Sequence, residues 1–95
     1  MNRVLIYHNS TRRYGIIINV EEIQSIIYDP TREGIEAKIY DKTGETIALI
    51  ELRDFKQLST LITLLGMPDY EYIYIEDGKV EKWTGMLKES KGDSQ

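Results

Sequence analysis

The feature that most constrains the fold of this 95-residue chain is the shortness of its apolar segments. Seven of them are only five to eight residues long, are rich in β-branched and aromatic residues, and are separated by turn-forming residues. Such segments are typical of β-strands, whose side chains alternate between two faces. A chain of this length can bury one modest core. We therefore expect a single β-rich α+β domain over residues 1–84 and a polar C-terminal tail over residues 85–95.

One segment, RDFKQLSTLITLLG, has helical rather than alternating periodicity. Asp54 is placed to cap the helix, Gln57 completes a variant of the capping box, and Gly66 is placed to end it. The expected packing face of this helix consists of Phe55, Leu58, Leu61, Ile62 and Leu65.

The order of the segments suggests how the strands pair. Five predicted strands precede the helix and two follow it, and short connections favour antiparallel neighbours. The predicted fold is therefore an antiparallel five-strand meander packed by one helix and followed by a C-terminal β-hairpin. Asp77-Gly78 indicates that hairpin, because Asp-Gly is favoured in two-residue hairpin turns. Asn19–Ile23 predicts a short helical turn between strands two and three.

Composition narrows the classes of function. The chain has a net charge of -4 and a pI near 5.0, which argues against sequence-independent binding of nucleic acid. It contains no cysteine, which excludes disulfides, thiolate zinc sites and cysteine nucleophiles. No apolar run reaches the roughly 18 residues of a membrane span. We expect a cytoplasmic protein with no membrane association, no cofactor and no metal site.

The sequence has no catalytic signature. His8 is the only histidine, so a metal site built from three histidines is impossible. Glu21 and Glu22 are adjacent and point in different directions in a regular element, which makes them a poor catalytic pair. No phosphate-binding glycine loop or nucleophile motif is present. We therefore expect a non-enzymatic protein.

The segment HNSTRRYG, residues 8–15, concentrates arginine and hydrogen-bonding residues between two apolar strands. In the predicted meander, this loop lies at the same end of the sheet as the loop over residues 30–34 and the start of the helix. Arginine is suited to planar recognition of carboxylate and phosphate groups. The predicted ligand-binding residues at this arginine-lined end are Asn9, Ser10, Thr11, Arg12, Arg13, Tyr14, Arg32 and Arg53. The alternative is that the loop simply has the composition of an exposed turn.

A second candidate surface is rich in tyrosine. Alternate residues of a strand point to opposite faces, so tyrosines at every second position share one face if Ile73 and Ile75 point into the core. Tyrosine and tryptophan are enriched at protein interfaces. The predicted interface residues are Tyr70, Tyr72, Tyr74 and Trp83. We expect a homo-oligomer formed through this hairpin, with an aromatic cluster within one chain as the alternative.

These surfaces support three functional hypotheses. In the first, the protein is a binding module whose arginine-lined end holds an anionic group, from either a nucleotide-like ligand that it sequesters or senses or an acidic patch on another protein. In the second, it is a protein–protein adaptor or inhibitor that acts through the tyrosine-rich hairpin. The third, binding of single-stranded nucleic acid, would combine tyrosine stacking with arginine contacts, but the net negative charge argues against it.

Overall fold

The computed structural model describes residues 3–68 and 70–82. Within them it confirms an α+β fold with mostly antiparallel strands and one α-helix. The predicted interface residue Trp83 and the predicted tail over residues 85–95 lie outside the described part. In chain order the elements are β1 (Val4–Asn9), β2 (Tyr14–Asn19), a 3₁₀ turn (Val20–Glu22), β3 (Ile23–Pro30), β4 (Ile35–Asp41), β5 (Thr46–Leu52), α1 (Phe55–Leu65), β6 (Tyr72–Glu76) and β7 (Lys79–Lys82).

The strands form two sheets, so the predicted five-strand meander is wrong. One sheet has the order β2-β1-β6-β7 and the other has the order β3-β4-β5. The chain leaves the first sheet after β2, and β6 later returns to pair in parallel with β1. A parallel pair needs a long crossover, which β3 to α1 supply here. The continuous apolar run from Val4 to Tyr7 is typical of a central strand, and β1 is central here. The meander prediction was wrong because it assumed that consecutive strands pair.

The hairpin also has a different place in the fold from the one predicted. β6 and β7 pair antiparallel around Asp77-Gly78, and both turn residues have positive φ, 52° and 81°. Such φ values are those of the hairpin turns that favour Asp-Gly. However, the hairpin does not follow a meander as a separate unit. Its first strand pairs with β1 and extends the four-stranded sheet.

A single hydrophobic core joins both sheets and the helix. Leu5 and Tyr7 of β1 and Ile73 and Ile75 of β6 are all at most 1% exposed, and they point to the same side of the four-stranded sheet because strand residues alternate. Burial of this apolar surface is the main stabilising contribution to the fold. The other core members are Ile18, Ile35, Ala37, Ile39, Ala48, Ile50, Leu52, Leu58, Leu61, Leu64 and Val80.

The helix begins as predicted, and its predicted packing face is confirmed in part: Leu58 and Leu61 are buried and Leu65 packs against the core. Asp54 Oδ1 accepts a hydrogen bond of 2.9 Å from the backbone N–H of Gln57, which satisfies one of the free donors at the helix start. The Gln57 side chain does not bond back to Asp54 in a capping box. Instead, its Oε1 accepts a bond from the Val80 N–H at 2.6 Å and so links α1 to β7. Phe55 and Ile62, which were expected in the packing face, are more than half exposed.

Arg3 donates hydrogen bonds to backbone carbonyls at the C-terminal end of the helix. Its guanidinium donates to four carbonyl oxygens, those of Leu64 (2.6 Å), Leu65 (2.8 Å), Met67 (2.7 Å) and Tyr70 (3.0 Å). The last carbonyls of a helix have no partner within the helix, and a positive charge there is favourable. One side chain just before β1 therefore bonds to the end of α1 and to two residues between α1 and β6.

Replacement of Arg3 tests this contribution. We expect Arg3→Met to lower the free energy of unfolding by about 2 kcal/mol or more, because hydrogen bonds to charged groups contribute more than neutral ones. Arg3→Lys keeps the charge but lacks the planar fork, so it should recover only part of the loss. Chemical denaturation measures both. The matched control is Arg32→Met, at an exposed arginine that makes no ion pair within residues 3–68 and 70–82; an equal loss there would contradict the prediction.

Candidate functional site

Four chain segments meet at one end of the molecule, which we call the loop end. They are the β1–β2 loop, the β3–β4 loop, the end of β5 and the β6–β7 turn. Together they line a cleft of about 300 Å³, to which Thr11, Glu33, Arg53 and Asp77 each contribute from a different segment. The first three segments meet as predicted, although the strands do not pair as a meander; the β6–β7 turn was not expected at this end.

Two glycines let the segments approach closely. A side chain at Gly34 would run into the carbonyl oxygen of Leu52 at the end of β5. A Cβ at Gly78 would lie 2.9 Å from the backbone nitrogen of Arg53 and 2.8 Å from its Cγ. The Arg53 N–H also donates to the Gly78 carbonyl at 3.2 Å. The base of the Arg53 side chain is therefore held directly against the β6–β7 turn.

A polar network around Asn9 fixes the β1–β2 loop. Asn9 is only 6% exposed, and its Nδ2 donates to the Tyr7 hydroxyl at 2.9 Å and to Glu51 Oε1 at 3.2 Å. Its Oδ1 accepts the Arg12 N–H at 3.1 Å. The Arg12 Nε in turn lies 2.9 Å from Glu51 Oε2. These bonds satisfy a buried amide, as burial requires. Asn9 also lines the cleft, and its part in ligand binding remains a prediction.

Ser10 fixes the same loop to the β6–β7 turn. The Asp77 carboxylate accepts bonds from the Ser10 backbone N–H at 2.8 Å and from the Ser10 hydroxyl at 2.8 and 2.9 Å. These bonds hold the pKa of Asp77 below its ordinary value of 3.8, and the bond from the Ser10 backbone has the largest effect. They lower the pKa because they stabilise the ionised carboxylate. Ser10 and Asp77 thus hold each other at the edge of the cleft.

The structure separates the four arginines expected at this end. Arg12 and Arg53 line the cleft, whereas Arg13 and Arg32 are exposed and do not. Arg12 is already paired with Glu51. Arg53 makes no ion pair in the part of the chain that the structure describes. It also lines a second cleft, of about 330 Å³, with Lys79 among the other residues there.

Carboxylates outnumber arginines at the loop end. The first cleft is lined by Glu33, Glu36, Glu51 and Asp77 as well as by the two arginines, so its charge is mixed. Glu36 and Glu51 are direct cross-strand neighbours, a like-charge arrangement that costs stability. The sequence prediction did not place Glu36 and Glu51 at this end, although the chain carries more acidic than basic residues.

Tyr14 and the tyrosines of β6 have different surroundings. Tyr14 is exposed and packs edge-on against Tyr7, with ring centroids 5.9 Å apart.

Tyr72 and Tyr74 of β6 point away from the core, as expected from the burial of Ile73 and Ile75. Tyr70 precedes β6 and packs against the core. The pKa of Tyr74 is raised above its ordinary value of 10.0, mainly by desolvation and secondly by the hydrogen bond of 3.1 Å that its hydroxyl donates to Glu76. An interface role for these tyrosines remains a prediction.

Three further observations bear on function. Among the described residues, no group of three or more histidine, aspartate or glutamate side chains is placed to hold a metal ion. No described helix is long and apolar enough to cross a membrane. Comparison of the chain with family models, with curated proteins and with solved structures finds no match in any of the three.

The bond between Ser10 and Asp77 predicts a specific pH dependence. Because the pKa of Asp77 is lowered in the folded state, its stabilising contribution is complete above the unfolded pKa and is lost as the pH falls through the folded one. Ser10→Ala should therefore be less stable than the wild type near neutral pH, and the difference should shrink below about pH 4.

Urea denaturation at a series of pH values measures this difference. The matched control is Ser59→Ala, at an exposed helix position. Its stability difference from the wild type should not change with pH. A difference for Ser10→Ala that stays constant down to about pH 3 would contradict the assignment.

Proposed function

We propose that this domain is a non-enzymatic binding module whose loop end holds one anionic group of a ligand through the guanidinium of Arg53. The observation that carries the proposal is the position of Arg53, which lines both clefts and makes no ion pair within the described residues. Arg12 is engaged by Glu51, and Asp77 is engaged by Ser10. Arg53 is therefore the cleft arginine with its hydrogen-bond donors available.

The backbone and Cγ of Arg53 are held in place, which favours binding of an anion by its guanidinium. Contact with Gly78 and the bond between the two backbones restrict the first part of the side chain. A guanidinium held in this way loses less conformational freedom when it binds. Its planar fork matches the two oxygens of a carboxylate or phosphate.

The neighbouring charges favour one class of anion. Glu33, Glu36, Glu76 and Glu81 lie around the two clefts, and they repel a multiply charged phosphate or an acidic protein patch. A ligand with a single carboxylate accompanied by a positive group satisfies Arg53 and these acids together. A cleft of about 300 Å³ is at the lower limit for small-molecule sites. We therefore favour a small zwitterion, such as an amino acid, over a nucleotide-like ligand.

Titrations followed by NMR of the backbone amides test this function. The probes are glycine, acetate, inorganic phosphate and adenosine monophosphate. We expect glycine to shift the amide signals of Arg53, Gly34 and Gly78 more strongly than the phosphates do. Arg53→Gln should weaken glycine binding by at least about tenfold, because a charge-assisted hydrogen bond is lost.

The control variant is Arg32→Gln, which removes an exposed arginine that does not line either cleft. It should leave the titration unchanged. No response at the loop end to any of the four probes, or equal binding by Arg53→Gln and the wild type, would contradict the proposal. A stronger response to adenosine monophosphate than to glycine would support the nucleotide-like ligand instead.

The second candidate function is a protein–protein adaptor or inhibitor. It is favoured by the outer face of the four-stranded sheet, where Ile6 of β1 lies between Ile17 of β2 and Tyr74 of β6 in the register of the strands. Apolar and aromatic residues on an outward sheet face are typical of interaction surfaces. Loss of partner binding in Tyr72→Ala, with binding intact in Arg53→Gln, would favour this function.

A further inference from the structure

β2 lies at one edge of the four-stranded sheet and pairs only with β1 within the described residues. The Val20 N–H donates to the Arg3 carbonyl at 2.8 Å, so the backbone of Val20 faces β1. Backbone groups alternate in direction along an antiparallel strand. The N–H and C=O groups of Gly15, Ile17 and Asn19 therefore face the open edge.

This edge lacks the features that usually prevent strands from pairing with other chains. The segment Tyr14–Asn19 has no charged residue and no proline, and Ile17 is 71% exposed. By contrast, β7 at the opposite edge is shorter and carries Lys79 and Glu81, and β3 ends in Asp29-Pro30. Charges, prolines and short strands protect edges, whereas a neutral apolar edge invites pairing.

The charges that flank β2 are complementary to those of a second, antiparallel copy. Arg12-Arg13 precedes the strand and Glu21-Glu22 follows it. The midpoint between these two pairs is Ile17. If two copies pair with Ile17 opposite Ile17, the loop that carries Arg13 lies beside the 3₁₀ turn that carries Glu21 of the other chain. Arg13, Glu21 and Glu22 are exposed and make no ion pair within the described residues, so their charges are available.

We propose that two copies of this chain associate through their β2 strands, antiparallel and centred on Ile17, to form one continuous eight-stranded sheet. A twofold axis requires a self-complementary surface. The register meets that requirement in three ways: the outward backbone groups of Gly15 meet those of Asn19, Ile17 meets Ile17, and the loop that carries Arg13 meets the turn that carries Glu21. This interface differs from the hairpin interface expected from the sequence.

A cysteine at the centre of the interface tests the register directly, because the wild-type chain has no cysteine. In this register Ile17 forms a hydrogen-bonded pair, for which the Cα atoms lie about 5.5 Å apart, within the range of a disulfide. We expect Ile17→Cys to form a disulfide-linked dimer under mild oxidation. The control is Ile62→Cys, at a similarly exposed isoleucine on α1, which should remain mostly monomeric.

Sedimentation equilibrium tests the association without a covalent bond. Ile17→Lys should raise the dimer dissociation constant at least about tenfold, whereas Ile62→Lys should leave it unchanged. Glu21→Arg should weaken the dimer, and addition of Arg13→Glu should restore it. A wild-type protein that stays monomeric at high concentration, or a dimer that is insensitive to Ile17→Lys, would overturn the proposal. So would equal disulfide formation by the two cysteine variants.

Discussion

The guanidinium of Arg3 connects the start of the first strand to the end of the only described helix, and the arrangement of the sheet depends on that connection. Its four bonds to carbonyl oxygens hold the segment between α1 and β6 beside β1. The Val4 N–H adds a bond to the Glu71 carbonyl at 2.8 Å. The chain therefore re-enters the four-stranded sheet next to β1, and β6 runs in the same direction as β1.

This parallel pairing creates the loop end. Because β1 and β6 run in the same direction, the loop after β1 and the turn after β6 leave the sheet at the same end, where Ser10 reaches Asp77. The end of β5 comes from the other sheet, and the bond between Arg53 and Gly78 joins it to the turn. The clefts thus lie where the two sheets meet. Their lining residues come from segments that are far apart in sequence.

Local features of the fold could be predicted from the sequence, and long-range pairing could not. The cap at Asp54 and the Asp77-Gly78 turn depend on a few neighbouring residues, so their residue types identify them. The pairing of β1 with β6 depends on contacts across about 70 residues, and no local pattern encodes it. Arg12 and Arg53 still share one end, because each connection reverses the direction of the chain whichever sheet receives it. The role of Asn9 was missed because its partners Tyr7 and Glu51 lie on different sheets.

The central claim is that β1 lies between β2 and β6, since this order places the β1–β2 loop and the β6–β7 turn at the same end of the sheet. Nuclear Overhauser contacts between backbone protons of neighbouring strands measure the order directly. The account predicts contacts between Ile6 and Tyr74 and between Leu5 and Ile73, together with contacts between β1 and β2. Contacts between the backbones of β2 and β3, with none between β1 and β6, would show a continuous meander and would contradict it.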